Sequence, residues 1–296
     1  MVRNFPFVRV CAVALAALAA ACGRTEETAP PVATPTVTIA PTDAAIGTPI
    51  EMSYRFAVAP NAPAFDDDYW VFVHFLDADR ELMWTDDHQP PVPTRQWKPG
   101  QMIDYSRTMF VPKFPYAGEA QIEVGLFSPK TGARIPMTGE TKGQRSYEVA
   151  RLNLRPQTDN LYVIFKDGWQ ETETADAGSG IEWQWSKKDA TLAFRNPMRD
   201  VTFYFQCDQP VLEGIGEPQH VELRIGPTVI DSFTLSPGQR ELRKFNVAKA
   251  QLGDSETVEV SVAVDKSFVP ATITQLRSSD SRELGIRVFR AYVAPK

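Results

Sequence analysis

The sequence predicts an all-β protein made of two β-sandwiches, an immunoglobulin-like one followed by a jelly-roll-like one. Three observations predict it. Apolar and polar residues alternate at period two through much of the chain. No segment carries a helical stripe longer than two turns. Strand-like runs bounded by turn residues recur about every 8–12 residues, the spacing of sandwich folds.

The chain opens "MVRNFPFVRVCAVALAALAAACGRTEE". Arg3 and Arg9 make a basic start, Val10 to Ala21 is an apolar run, and Cys22 and Gly23 precede an abrupt polar turn. That layout is a secretory signal with a small-residue cleavage site, and the run is shorter than the roughly 20 residues of a membrane-spanning helix. Cys22 directly after three alanines resembles a bacterial lipoprotein signal, although Ala19 stands where Leu is usual. The resemblance implies a signal peptide at 1–21, lipidation of Cys22 and a membrane anchor on the periplasmic side of the cell envelope. Gly23, rather than Asp, resembles the outer-membrane sorting pattern. An ordinary secretory signal cut at the same alanines is the alternative. The following Pro-, Thr- and Ala-rich stretch is expected to be a flexible tether over 22–35.

The formal charge is −6, and losing Arg3 and Arg9 makes it −8. Nucleic acid is an improbable partner for so acidic a chain. With Cys11 in the signal and Cys22 lipidated, Cys207 is the one remaining thiol of the three. It ends the strand-like "VTFYFQC" and is expected to be buried.

The first sandwich is placed at 36–155. In "IEMSYRF", Ile50, Met52, Tyr54 and Phe56 share one face. "YWVFVHFLD" is apolar on both faces and reads as a central strand, with His74 inside it as a hydrogen-bonded core residue. "FLDADRELMW" reads as a hairpin turning at Asp77 to Arg80, and "EAQIEVGLFSPKTGARI" as another. The second sandwich is placed at 156–296, of the type that carbohydrate-binding modules use. In "TVEVSVAV", Val258, Val260, Val262 and Val264 share one face.

Two sets of segments carry a family resemblance. "YWVFVHFLDADRELMWTDDHQPPVPTRQWKPGQ" is similar to sandwich domains beside membrane glycosyltransferases and in bacterial envelope proteins. "KDGWQ", "IEWQWSKKDATLAFRNPMRDVTFYF", "DKSFVPA" and "SRELGIRVF" resemble a second soluble domain of the same setting. Together they span most of residues 65–295. The resemblance implies an envelope and carbohydrate context and transfers no catalytic residue.

Aromatic rings stack on the C–H faces of sugars, while carboxylates, amides and Arg bind hydroxyls. Trp84, Asp87, His88 and Trp97 lie in or beside loops and form one candidate ligand site; plugging the end of the sandwich is the other use of such tryptophans. Trp169, after the turn signal "KDG", is a second candidate. Asp265 and Arg282 either line a groove or make structural ion pairs, Arg282 with Asp280. Trp183 and Trp185 share parity with Ile181, against Glu182 and Gln184 on the other face. Burying that polar face without partners would be costly, so the tryptophans are expected in the core and Trp97 or Trp169 is expected to be the more exposed aromatic.

No GxSxG elbow, P-loop, dinucleotide-binding glycine pattern or HExxH is present, so neither catalysis, a cofactor nor a metal site is expected. The reading is a non-catalytic envelope protein that binds a glycan or glycolipid. A structural or assembly factor binding an envelope protein is the alternative, and a carbohydrate hydrolase a distant third.

Overall fold

The computed structural model describes residues 29–157, 161–175, 181–212 and 216–296. The signal segment and Cys22 lie outside the described residues. The chain divides into two compact units, the break falling between residues 158 and 159. Regular structure in both is nearly all β.

The first unit runs through β1 (Ala33–Ala40), β2 (Asp43–Ala45), β3 (Pro49–Val58), β4 (Trp70–Leu76), β5 (Leu82–Thr85), β6 (Met102–Phe110), β7 (Gly118–Phe127), β8 (Arg134–Ile135) and β9 (Tyr147–Arg155). One sheet has the order β1-β3-β6; the other is β2-β9-β7-β4-β5, with β8 added on β7. Only β2 and β9 pair in parallel. An opening strand split between two sheets, its second part lying parallel to the last strand, is an immunoglobulin-like arrangement. The alternation in β3 is realised: Ile50, Met52, Tyr54 and Phe56 are all buried against Val71, Val73 and Phe75 of the facing sheet.

Two expectations need correction. The tether does not reach residue 35, because β1 begins at Ala33 and Val32 is already buried. In "TPTVTIA" the β-branched threonines suit a pleated strand, and Val37 and Ile39 alternate into the core. His74 is no core residue either. Its neighbours Val73 and Phe75 point inward, so His74 points outward, half-buried beside the Phe72 ring. The hairpin at Asp77 to Arg80 is present, with Asp77 Oδ1 accepting the N–H groups of Asp79 and Glu81, both at 2.9 Å.

The second unit comprises β10 (Ile164–Phe165), β11 (Glu173–Thr174), β12 (Glu182–Trp185), β13 (Asp189–Arg195), β14 (Val201–Asp208), β15 (Gln219–Ile225), β16 (Thr228–Leu235), β17 (Arg240–Val247), β18 (Thr257–Val264) and β19 (Arg287–Pro295). They form two five-stranded antiparallel sheets, β10-β13-β18-β15-β16 and β11-β12-β19-β14-β17. From β10 to β19 the chain changes sheet at every step except β11 to β12 and β15 to β16. Such repeated crossing is the jelly-roll solution to closing a double sheet. Phe203, Phe205 and Cys207 from one sheet meet Val258, Val260 and Val262 from the other. Cys207 is fully buried, and burial pushes its thiol pKa far up.

One glycine is imposed by geometry. Gly168 has φ +80°, and a Cβ there would lie 2.1 Å from the Asp189 carbonyl oxygen. Only glycine allows β13 to run so close beneath the turn that delivers Trp169.

Candidate functional site: an aromatic and arginine platform

Strand register decides which way Trp183 and Trp185 face. Trp185 pairs with Arg287, and Gln184 with Val288. Val288 and Ile286 belong to the core. Arg287, Trp185 and Trp183 therefore share the opposite, outward face of the β11-β12-β19-β14-β17 sheet. The expectation of core tryptophans is corrected for Trp183, which is half-buried; Trp185 is buried as expected, but on this outer face and not between the sheets. The polar residues on the inward side escape the penalty of burial for a local reason. β12 has only the two-residue β11 beyond it, so Glu182 stays exposed and Gln184 donates to Thr172 Oγ1 at 2.9 Å.

The outward face gathers side chains from four strands. The Arg287 guanidinium lies 5.1 Å from the Trp183 ring, 5.9 Å from Trp185 and 5.4 Å from Phe289. Trp183 and Phe289 rings are 6.0 Å apart. Arg240, from β17, stacks 3.6 Å over Phe289. Asp208, from β14, holds Arg287 by two 2.7 Å hydrogen bonds. Fork-to-fork pairing fixes the guanidinium plane, and the rings lie around that fixed cation, Trp183 and Phe289 tilted by 53° to each other. Trp183 and Phe289 are half-buried, whereas Trp185 is only 7% exposed. Trp185 is covered by the Phe268 ring at 5.9 Å and by Glu173, which accepts its indole N–H at 3.3 Å.

Charge is divided across the platform. At the Trp185 end, Arg282 is shared between Asp280 and Glu173, both within 2.8 Å. These bonds hold Asp280 below the usual carboxylate range and Arg282 above its ordinary value. At the Phe289 end, Arg287 and Arg240 face the single carboxylate of Asp208. Arg240 loses that competition: its Nε is 3.8 Å from Asp208, and its guanidinium makes no hydrogen bond among the described residues. Burial lowers its pKa, Asp208 opposes that shift, and the like charge of Arg287 reinforces it.

The other expected site residues are placed differently. Trp97 is 4% exposed, donates to the Val92 carbonyl at 2.8 Å and packs against Phe56 and Phe65. It is a buried plug, and the expectation of an exposed Trp97 is corrected. Trp84 stacks on Phe75 at 4.6 Å and is half-buried. Asp87 accepts the Val73 N–H. His88 is buried, bonded through Nδ1 to the Asp86 carbonyl and through Nε2 to the Tyr105 hydroxyl, each at 2.8 Å. With Trp97 and His88 buried, the four form no exposed cluster. Trp169 is half-buried, donates to the Thr191 carbonyl at 2.8 Å and packs on Phe165. Asp265 accepts the His220 N–H, which leaves Arg282 as the one expected residue that joins the platform, at its rim.

His88 and His74 are both held below the usual histidine pKa, chiefly by burial, with Arg107 and Arg134 respectively adding to it. Asp86 and Asp87 pull His88 the other way, as Asp87 and Glu123 do His74. The unfolded chain therefore binds more protons than the folded one below about pH 6.5, where free histidine titrates. Stability is present above that pH and is lost as pH falls toward the depressed values. The urea midpoint is expected to drop from pH 7 to pH 5.5, and proton NMR should find both imidazoles less than half protonated at pH 6.5.

Arg287, Phe289, Arg240 and Asp208 were not legible as site residues. They come from three strands far apart in sequence, and only the sheet order joins them. The one local signal is "RVF", where Arg287 and Phe289 alternate around the inward Val288.

No protein-family model and no curated protein matches the chain. Solved structures to which it is similar at low TM-score include an arabinoxylan arabinofuranohydrolase of glycoside hydrolase family 43 from Bacillus subtilis. The TM-score is 0.26 and the identity 10%, over 83% of this chain and 52% of that one. For the M60 catalytic domain with two CBM51 domains from Clostridium perfringens ZmpB, the TM-score is 0.25 and the identity 7%, over 83% and 34%. For the DNA glycosylase AlkC from Pseudomonas fluorescens, they are 0.27 and 13%, over 42% and 31%. The chain spans about half or less of each of these structures, and scores this low carry no inference about what it does.

Proposed function

We propose that this chain is a non-catalytic, lipid-anchored envelope protein that binds a glycan on the outward face of its second sandwich. One observation carries the reading: Trp183, Phe289 and two arginines cluster in cation–π contact on one sheet surface. Indole and phenyl faces suit the C–H face of a sugar, and guanidinium edges suit its oxygens. The platform is rigid before any ligand arrives, because Asp208 fixes Arg287 and the rings lie around that fixed cation. Preorganisation of that kind lowers the entropy lost on binding. The anchor follows from the basic start, the short apolar run and Cys22.

The test is a glycan array probed with residues 29–296 and with the Trp183→Ala variant. Trp183 is half-buried and contributes one aromatic pair and one cation–π contact, so its loss is expected to cost about 1–2 kcal/mol of stability. Wild type should bind a defined glycan class, and the folded variant should lose it. Binding that survives Trp183→Ala unchanged would place the site elsewhere. An array with no positive, alongside a stoichiometric envelope protein on pull-down, would favour the assembly-factor reading.

A further inference from the structure

We infer that the glycan carries an anionic substituent, a carboxylate or a phosphate, that docks on Arg240. This deepens the glycan reading and rests on it. Three features of the platform lead there. The first is an unfilled hydrogen-bonding group. Arg240 is ion-paired only loosely, at 3.8 Å, and its side chain is 41% exposed. A guanidinium has five N–H donors in a planar fork, and those of Arg240 make no hydrogen bond among the described residues.

The second feature is orientation. Stacking at 3.6 Å on Phe289 hides one face of the guanidinium and leaves its edge available. An edge-on guanidinium is the geometry that takes a carboxylate or phosphate in a bidentate manner. The third is local charge. Around Phe289, Arg240 and Arg287 outnumber Asp208 by one positive charge. Around Trp185, Asp280 and Glu173 outnumber Arg282 by one negative charge. The platform is thus polarised along its length. An acidic sugar binds with its anion over Arg240 and its hydroxyls toward Glu173, and the reverse orientation sets anion against carboxylate.

The experiment compares matched ligands. Oligosaccharides containing glucuronic, galacturonic or mannuronic acid are printed beside their carboxyl-reduced forms. Sugar-phosphate oligomers are printed beside their dephosphorylated forms. Wild type, Arg240→Gln and Arg240→Lys are applied at low and at 0.5 M salt, with melting temperatures recorded in parallel. The inference expects binding to one acidic set and about tenfold weaker binding to its neutral counterpart, the scale of a charged hydrogen bond. Arg240→Gln should remove that preference, Arg240→Lys should retain part of it, and salt should weaken only the acidic interaction. Which acidic set responds identifies the anion as carboxylate or phosphate. Equal binding of acidic and neutral forms, unaffected by Arg240→Gln, would overturn this inference and leave the glycan reading standing. Absence of binding to every glycan would overturn both.

Discussion

Trp97→Ala is expected to destabilise the first sandwich by about 3–5 kcal/mol, the cost of deleting a large aromatic from a packed core. The residue follows a loop rich in proline, yet its indole is 4% exposed and lies 5.3 Å from Phe56 and 5.6 Å from Phe65. Its N–H is satisfied by the Val92 carbonyl at 2.8 Å. Truncation therefore leaves a cavity and an unpaired carbonyl together. The loop has little freedom to collapse into the gap, because buried Thr94 ties it down by accepting the Tyr69 N–H at 2.7 Å and donating to the Asp67 carbonyl. Urea denaturation followed by far-UV circular dichroism measures the loss. A variant as stable as wild type would mean that the Trp97 pocket is not packed as described.

Asp208→Ala is expected to cost the second sandwich about 3 kcal/mol, the lower part of the range for breaking a buried ion pair. The Asp208 side chain is 8% exposed and that of Arg287 is 23% exposed. Without its carboxylate, Arg287 keeps its charge between Trp183, Trp185 and Phe289 with no anion to balance it. Asp208→Asn keeps the shape and one acceptor, and should cost about half as much. Denaturant midpoints of the two variants, measured side by side, separate loss of charge from loss of volume. If both match wild type, Asp208 does not organise the platform.

These residues also mark how far the sequence could be read. Alternation revealed both cores, because strands such as "IEMSYRF" and "TVEVSVAV" have a fully covered apolar face and an exposed polar one. The same rule failed at "IEWQW". It assumes that the bulkier face is the covered one, and β12 sits one short strand from the sheet edge, where the inner face is partly bare and the outer face carries the aromatic stack. At "YWVFVHFLD" the reading of an interior strand apolar on both faces held, with β4 between β7 and β5 and Phe72 buried on the outer side beneath Arg134 at 4.0 Å; the miss there was His74, which shares that outer side and is half-buried. Loop position misled at Trp97 for a related reason: a loop that folds under the end of a sandwich is buried like a strand. The platform itself was the least legible feature, since Asp208, Arg240 and Arg287 meet only through the order β19-β14-β17. Arg282 was found because its carboxylate partner Asp280 is two residues away.

The most direct measurement of the central claim is an NMR titration of residues 29–296 with the strongest glycan from the array. Indole and guanidinium N–H signals are followed, and Trp183→Ala and Arg240→Gln assign the signals that matter. A glycan seated on the platform should shift the Trp183 indole and the Arg240 and Arg287 guanidinium resonances together, with one saturation curve, and leave the buried Trp97 indole unmoved. Shifts confined to the first sandwich, or saturable binding with Trp183 and Arg240 silent, would contradict it.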